Sequence, residues 1–139
     1  MIPNTDLTEQ KLQEARRRGL IRVRGLRKAA EPTLETGEVC DLLGVTRESI
    51  RMRVHRHQLL DLSKSDGEVF PAFQFREGKV LRGIPEVLRA LDTDSAYTAL
   101  SFLLSRNPDF ANKTALNLLE AGETGTVIAA ARGFLRHGT

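Results

Sequence analysis

The sequence predicts a mostly α-helical protein with a small β-hairpin wing, built as an N-terminal helix-turn-helix region over 1–81 and a helical domain over 82–139. Three observations predict it. Apolar residues recur at three- and four-residue spacing in a series of short segments from Val39 onward. Gly44 separates the first two of these by a tight turn. Between the two regions, "LLDLSKSDGEVFPAFQF" carries Asp66-Gly67 as a hairpin turn, and Glu77-Gly78 supplies a second before Lys79-Val80.

The chain of 139 residues suits one compact domain or two small ones sharing an interface. A hydrophobic content of 40% supports a core. A single cysteine, Cys40, excludes an intramolecular disulfide framework and fits a reducing compartment. The N-terminal residues lack a charged and an apolar region of signal-peptide type, and no apolar run approaches the ~20 residues of a membrane helix. The expectation is a soluble, cytoplasmic protein.

The net charge of +3 is unevenly placed. Residues 1–60 carry 12 Lys/Arg against 8 Asp/Glu, whereas residues 61–139 carry 9 against 10. The excess centres on "RRRGLIRVRGLRK", from Arg16 to Lys28, which holds no acid. A basic front suits a polyanion; the same run also suits a solvated helix end. With no Trp and one Tyr, nucleic-acid binding would rest on charge and shape rather than base stacking.

In chain order, residues 6–18 suit a helix capped by Asp6 or Thr8 and stopped by Gly19. "LIRVRG" alternates like a short strand, and Glu31-Pro32-Thr33 breaks whatever precedes it. Thr36 is a candidate cap for a helix with Val39, Leu42 and Leu43 inward; Gly44 ends it, and Thr46 caps the next. There Ile50 and Val54 share the inward face. Ser49, Met52, His55, Arg56 and Glu48 lie opposite, with Arg51 and Arg53 on the shoulders and Arg47 at the start. Guanidinium groups so placed suit phosphates or guanine edges in a major groove. The candidate DNA-binding residues are therefore Arg47, Ser49, Arg51, Met52, Arg53 and Arg56, with Arg16, Arg17 and Arg18 as backbone contacts. A purely solvated basic helix has the same pattern.

Further along, "RGIPEVLRALD" predicts a helix beginning at Pro85, and "DSAYTALSFLLSR" one capped by Asp94. Thr114 opens a short helix stopped by Gly122. The last helix is expected over about 123–136, with Val127, Ile128, Ala131, Phe134 and Leu135 as its stripe.

Catalytic chemistry has little support. His55 and His57 point to opposite sides of a helix and cannot share a metal, and no phosphate-binding loop or dinucleotide glycine pattern is present. Neither an enzyme nor a cofactor is expected.

"GVTRESIRMRVHRHQLL" resembles the helix-turn-helix of MerR-type and excisionase-type regulators, with Arg51 at the arginine following the core aliphatic residue. The back of the chain resembles the toxin-binding domain of Xre/MbcA/ParS antitoxins, in "VFPAFQF", "FLLSRNPDF", "TALNLLEAGE" and "VIAAARGF". Ala111-Asn112 stands where that family has a leucine–glycine pair, and Ala115 where a proline is usual. The resemblance implies an antitoxin of a type II toxin–antitoxin system, which inhibits a NAD-consuming RES-domain toxin and represses its own operon, as a homodimer on operator DNA. It also implies toxin contacts near a basic C-terminal end, at Arg132, Phe134, Arg136 and His137. The alternative is a stand-alone helix-turn-helix regulator whose C-terminal helices only dimerise.

Overall fold

The computed structural model describes residues 10, 11, 13, 14, 24–63 and 68–137. They form a mostly helical fold with three short antiparallel strand pairs, in keeping with the expected class. Residues 10, 11, 13 and 14 are helical, within the helix expected over 6–18. Its candidate caps, its stop at Gly19 and the run Arg16–Arg18 lie outside the described residues.

Residues 24–29 are helical, which corrects the strand reading of "LIRVRG" for Arg24 and Gly25. Burial decides the matter: Leu26 and Ala30 stand four apart, both on the core side, and the Ala30 N–H donates to Leu26 O at 3.0 Å. Arg27 also turns inward, donating through Nη1 to Leu62 O at 2.8 Å.

Strand β1 (Thr33–Glu35) then leads directly into α1 (Thr36–Leu43). Thr33, expected only as a breaker, therefore starts a strand. Its partner is β2 (Val69–Pro71), with Leu34 opposite Phe70. The expected Asp66-Gly67 turn lies outside the described residues. On its near side, the Asp61 carboxylate accepts from the Ser63 and Val69 amides at 2.9 and 3.0 Å, which draws the two ends of that segment together.

Helix α1 is capped by Glu35 rather than Thr36, and Glu38 answers by accepting from the Glu35 amide at 3.0 Å. Thr36 is instead the first helical residue and is buried. Leu42, expected inward, is 40% exposed. Thr36, Val39, Cys40 and Leu43 define the packed side, and the 100° step of a helix puts Leu42 about 100° away from its centre. Gly44, at φ 68°, closes α1 in the left-handed region and donates its N–H to Cys40 O. The Thr46 hydroxyl then accepts from the Ser49 amide at 3.1 Å and starts α2 (Arg47–His55).

A smaller core joins these pieces: Val39, Ile50, Leu59, Phe70 and Phe75. A 3₁₀ turn over Ala72–Gln74 links β2 to β3 (Phe75–Arg76), which pairs with β4 (Lys79–Val80). Glu77 and Gly78, at φ 52° and 75°, make the two-residue turn of this hairpin as the sequence indicated.

The larger core belongs to α3 (Ile84–Leu91), α4 (Ala96–Leu104), α5 (Ala115–Glu120) and α6 (Thr124–His137). Ser95, not Asp94, caps α4, because its hydroxyl reaches the Thr98 amide at 3.2 Å while the Asp94 carboxylate meets His57. Between α4 and α5, β5 (Arg106–Asn107) pairs with β6 (Lys113–Thr114) around a 3₁₀ turn, with Ala111 and Asn112 in the left-handed region at φ 56° and 64°. Thr114 and Asn117 form the capping box of α5. Val127 and Ala131 bury the inner side of α6, and Phe134 meets Phe102 edge to face at 5.1 Å.

The two regions are not independent in their packing. Ala30, Leu60, Leu62 and Leu81 all enter the larger core beside the C-terminal helices. Within the front region, buried Gln74 braces Leu60: its Oε1 accepts from the Leu60 amide at 2.8 Å, and its Nε2 donates to Leu60 O and Pro71 O at 2.9 and 3.2 Å.

Candidate nucleic-acid interface

The outward side of α2 follows from how its inward side is held. Ile50 is fully buried and Val54 packs half-buried beside it, so the 100° step per residue turns Glu48, Met52 and His55 to solvent. Arg47, Arg51, Met52 and Arg56 are exposed, whereas Ser49 and Arg53 are half-buried. Four of the six residues in and just after α2 that the sequence marked as DNA contacts are thus exposed, with Ser49 and Arg53 set further in. Met52 is 43% exposed and, with Leu42, one of the two exposed large hydrophobic side chains among the described residues.

The charges around this face differ in their surroundings. Among the described residues, Arg47 and Arg56 have no carboxylate within ion-pair distance. Arg47 lies over the first turn of α1, where a Cβ added to Gly37 would come 3.2 Å from Arg47 Nη2. Arg51 does have a partner: its Nε stands 3.7 Å from Oε1 of Glu68, the residue before β2. Glu68 was not read from the sequence, since its place beside α2 depends on β2 pairing with the distant β1 and packing on Ile50.

The hairpin β3–β4 is tied to the helical back by an ion pair between Arg76 and Glu120. His57, just past α2, approaches Asp94 at 3.2 Å from Nε2 to Oδ1. Two side-chain contacts therefore hold the front against the back at separate points.

On the back, the residues that resemblance implies for partner contact differ in their surroundings. Arg132 is exposed and lines an open groove of about 350 Å³ with Glu86, Arg89, Ala90 and Ile128. Phe134 is half-buried and spends its ring on Phe102 and the core. Arg136 and His137 fall in the last turn of α6, and their side chains are outside the described residues.

No group of three or more His, Cys, Asp or Glu side chains among the described residues is placed to hold a metal. No helix among them is long and apolar enough to cross a membrane.

No protein-family model matches the chain, and no curated protein matches it. The fold is similar to the NMR structure of Rv2175c, with a TM-score of 0.62 and 21% sequence identity over 75% of this chain and 81% of that one. At that identity the likeness is one of fold.

Proposed function

We propose that this protein is a DNA-binding antitoxin: α1 and α2 dock a helix-turn-helix on operator DNA, and the C-terminal helices bind and inhibit a RES-domain, NAD-consuming toxin. The observation that carries the DNA-binding half is the face of α2, where exposed Arg47, Arg51 and Arg56 surround Met52 on a helix whose opposite side is locked by Ile50. A helix with this exposure fits a major groove, and its arginines match phosphates and base edges.

The toxin-binding half is supported by how the motif-bearing loop is built. Asn112, where the resembling antitoxins have glycine, adopts φ 64°, a conformation glycine takes freely and asparagine tolerates best among the rest. Ala115, where a proline is usual, is the first residue of α5, the one helical position that suits proline. These two positions suit the family's residues; Ala111, at φ 56° where the family has leucine, does not.

The test is co-expression with the product of the adjoining reading frame, followed by pull-down and an assay of NAD⁺ consumption. The expected result is a stable complex with suppressed turnover. Removing residues 136–139 spares the buried Val127 and Ala131 and the Phe134–Phe102 contact, so folding persists. Inhibition is expected to fall with that truncation while DNA binding remains. A protein that binds operator DNA but neither captures nor inhibits a RES-domain toxin would instead be a stand-alone regulator.

A further inference from the structure

Among the described residues, Arg51 is the one basic side chain on the exposed side of α2 with a carboxylate within ion-pair distance. Its Nε lies 3.7 Å from Glu68 Oε1, and its side chain is 72% exposed while that of Glu68 is 22% exposed. An exposed pair of this length contributes little to stability. A carboxylate beside an arginine that only sought phosphates would also weaken its purpose by repelling the same phosphates. The pairing makes better sense as a means of aiming the guanidinium.

Glu68 is anchored on its C-terminal side. Val69, its neighbour, pairs with Glu35 in the β1–β2 ladder, and the Val69 N–H is held by Asp61 at 3.0 Å. Glu68 thus adjoins the β1–β2 ladder and half-buries its side chain beside Arg51 of α2. Contact through Nε leaves both terminal nitrogens of Arg51 without an acceptor among the described residues. Those two nitrogens form the fork that matches O6 and N7 of guanine.

Building on the DNA-binding reading, we propose that Glu68 is a positioning residue that holds Arg51 for end-on, two-pronged recognition of a guanine in the major groove. Arg47 and Arg56, which have no such partner among the described residues, take phosphates. Glu68 acts through Arg51 and does not itself touch DNA.

The experiment starts from a duplex selected out of a random library by the full chain. Each guanine is then replaced in turn by 7-deazaguanine, which removes the N7 acceptor and leaves base pairing intact. The wild-type protein is expected to lose affinity about tenfold at one guanine, the order of a two-pronged contact. Arg51→Lys keeps the charge but lacks the fork, so it loses that dependence while its salt slope stays unchanged. Glu68→Gln is expected to shrink the same ratio to about threefold, the order of freeing one ordered side chain, again at constant salt slope. Circular dichroism melts of both variants check that folding is retained, and Glu68→Asp, a shorter carboxylate, is expected to fall between Gln and wild type.

Full guanine discrimination in Glu68→Gln would overturn the proposal, as would a uniform gain in affinity for every duplex, which would make Glu68 a mere repelling charge. A selected duplex in which no guanine matters would overturn it too, while leaving DNA binding intact. If the library yields no bound duplex, the DNA-binding reading fails, and this inference fails with it.

Discussion

Two single residues carry disproportionate structural weight. Gln74 is fully buried and satisfies both backbone groups of Leu60 as well as Pro71 O. Replacing it by alanine leaves a buried N–H and C=O unpaired, each costing about 1–3 kcal/mol. Gln74→Ala is expected to lose on the order of 3 kcal/mol in urea denaturation, with little change in the slope of the transition. Gly83 is constrained differently. It precedes α3 at φ 97°, and an added Cβ would meet Leu119 Cδ2 at 2.7 Å and Thr124 Cγ2 at 2.9 Å. Here α3, α5 and α6 converge, and Leu119 is buried among them, so its side chain has little room to retreat. Gly83→Ala is expected to cost more than about 2 kcal/mol, combining left-handed backbone with overpacking. Sequence alone showed neither role: Gln74 has the look of a polar residue in a loop, and Gly83 of an ordinary helix start.

At the scale of elements, α2 offers the direct check on DNA binding. Arg47→Ala and Arg56→Ala, if each removes one phosphate contact, are each expected to lower the log–log salt slope by about 0.9 and to weaken specific and random duplexes alike. Gel shifts at several salt concentrations measure both effects. The helix itself was legible because its determinants are local: Thr46 caps it, Gly44 precedes it in the left-handed region, and Ile50 and Val54 repeat at four-residue spacing. The hairpin turn at Glu77-Gly78 was legible for the same reason. Elements set by distant partners were not. β1 exists because Val69–Pro71 pairs with it across more than thirty residues, and β5 and β6 are two-residue strands that no periodicity reveals. Leu42 was misplaced because a short helix with four other inward candidates leaves its buried side ambiguous until those residues pack. The contact between Arg51 and Glu68 escaped the sequence through the same long-range pairing.

For the molecule as a whole, the decisive fact is that the larger core takes Ala30, Leu60, Leu62 and Leu81 from the region before residue 82. A fragment ending at 81 would expose these apolar side chains to water, at about 25 cal/mol for each Å². The fragment is expected to aggregate or to lose near-native chemical-shift dispersion, and the full chain to unfold in one calorimetric transition with matching calorimetric and van't Hoff enthalpies. Two separated transitions would show instead that the regions hold themselves together.

Adjacent Leu59 and Leu60 serve different cores, the first packing with Ile50 and Phe70, the second with the C-terminal helices. Anyone seeking to graft the region before residue 60 onto another helical back, or this helical back onto another front, therefore has no neutral cut site near residue 60. A single inserted residue between the two leucines would shift every following side chain by one place, and with it the amide and carbonyl that Gln74 clamps. Exchange of parts would succeed only if the donor brought its own 58–62 segment and its own 69–81 segment together, as one inherited unit.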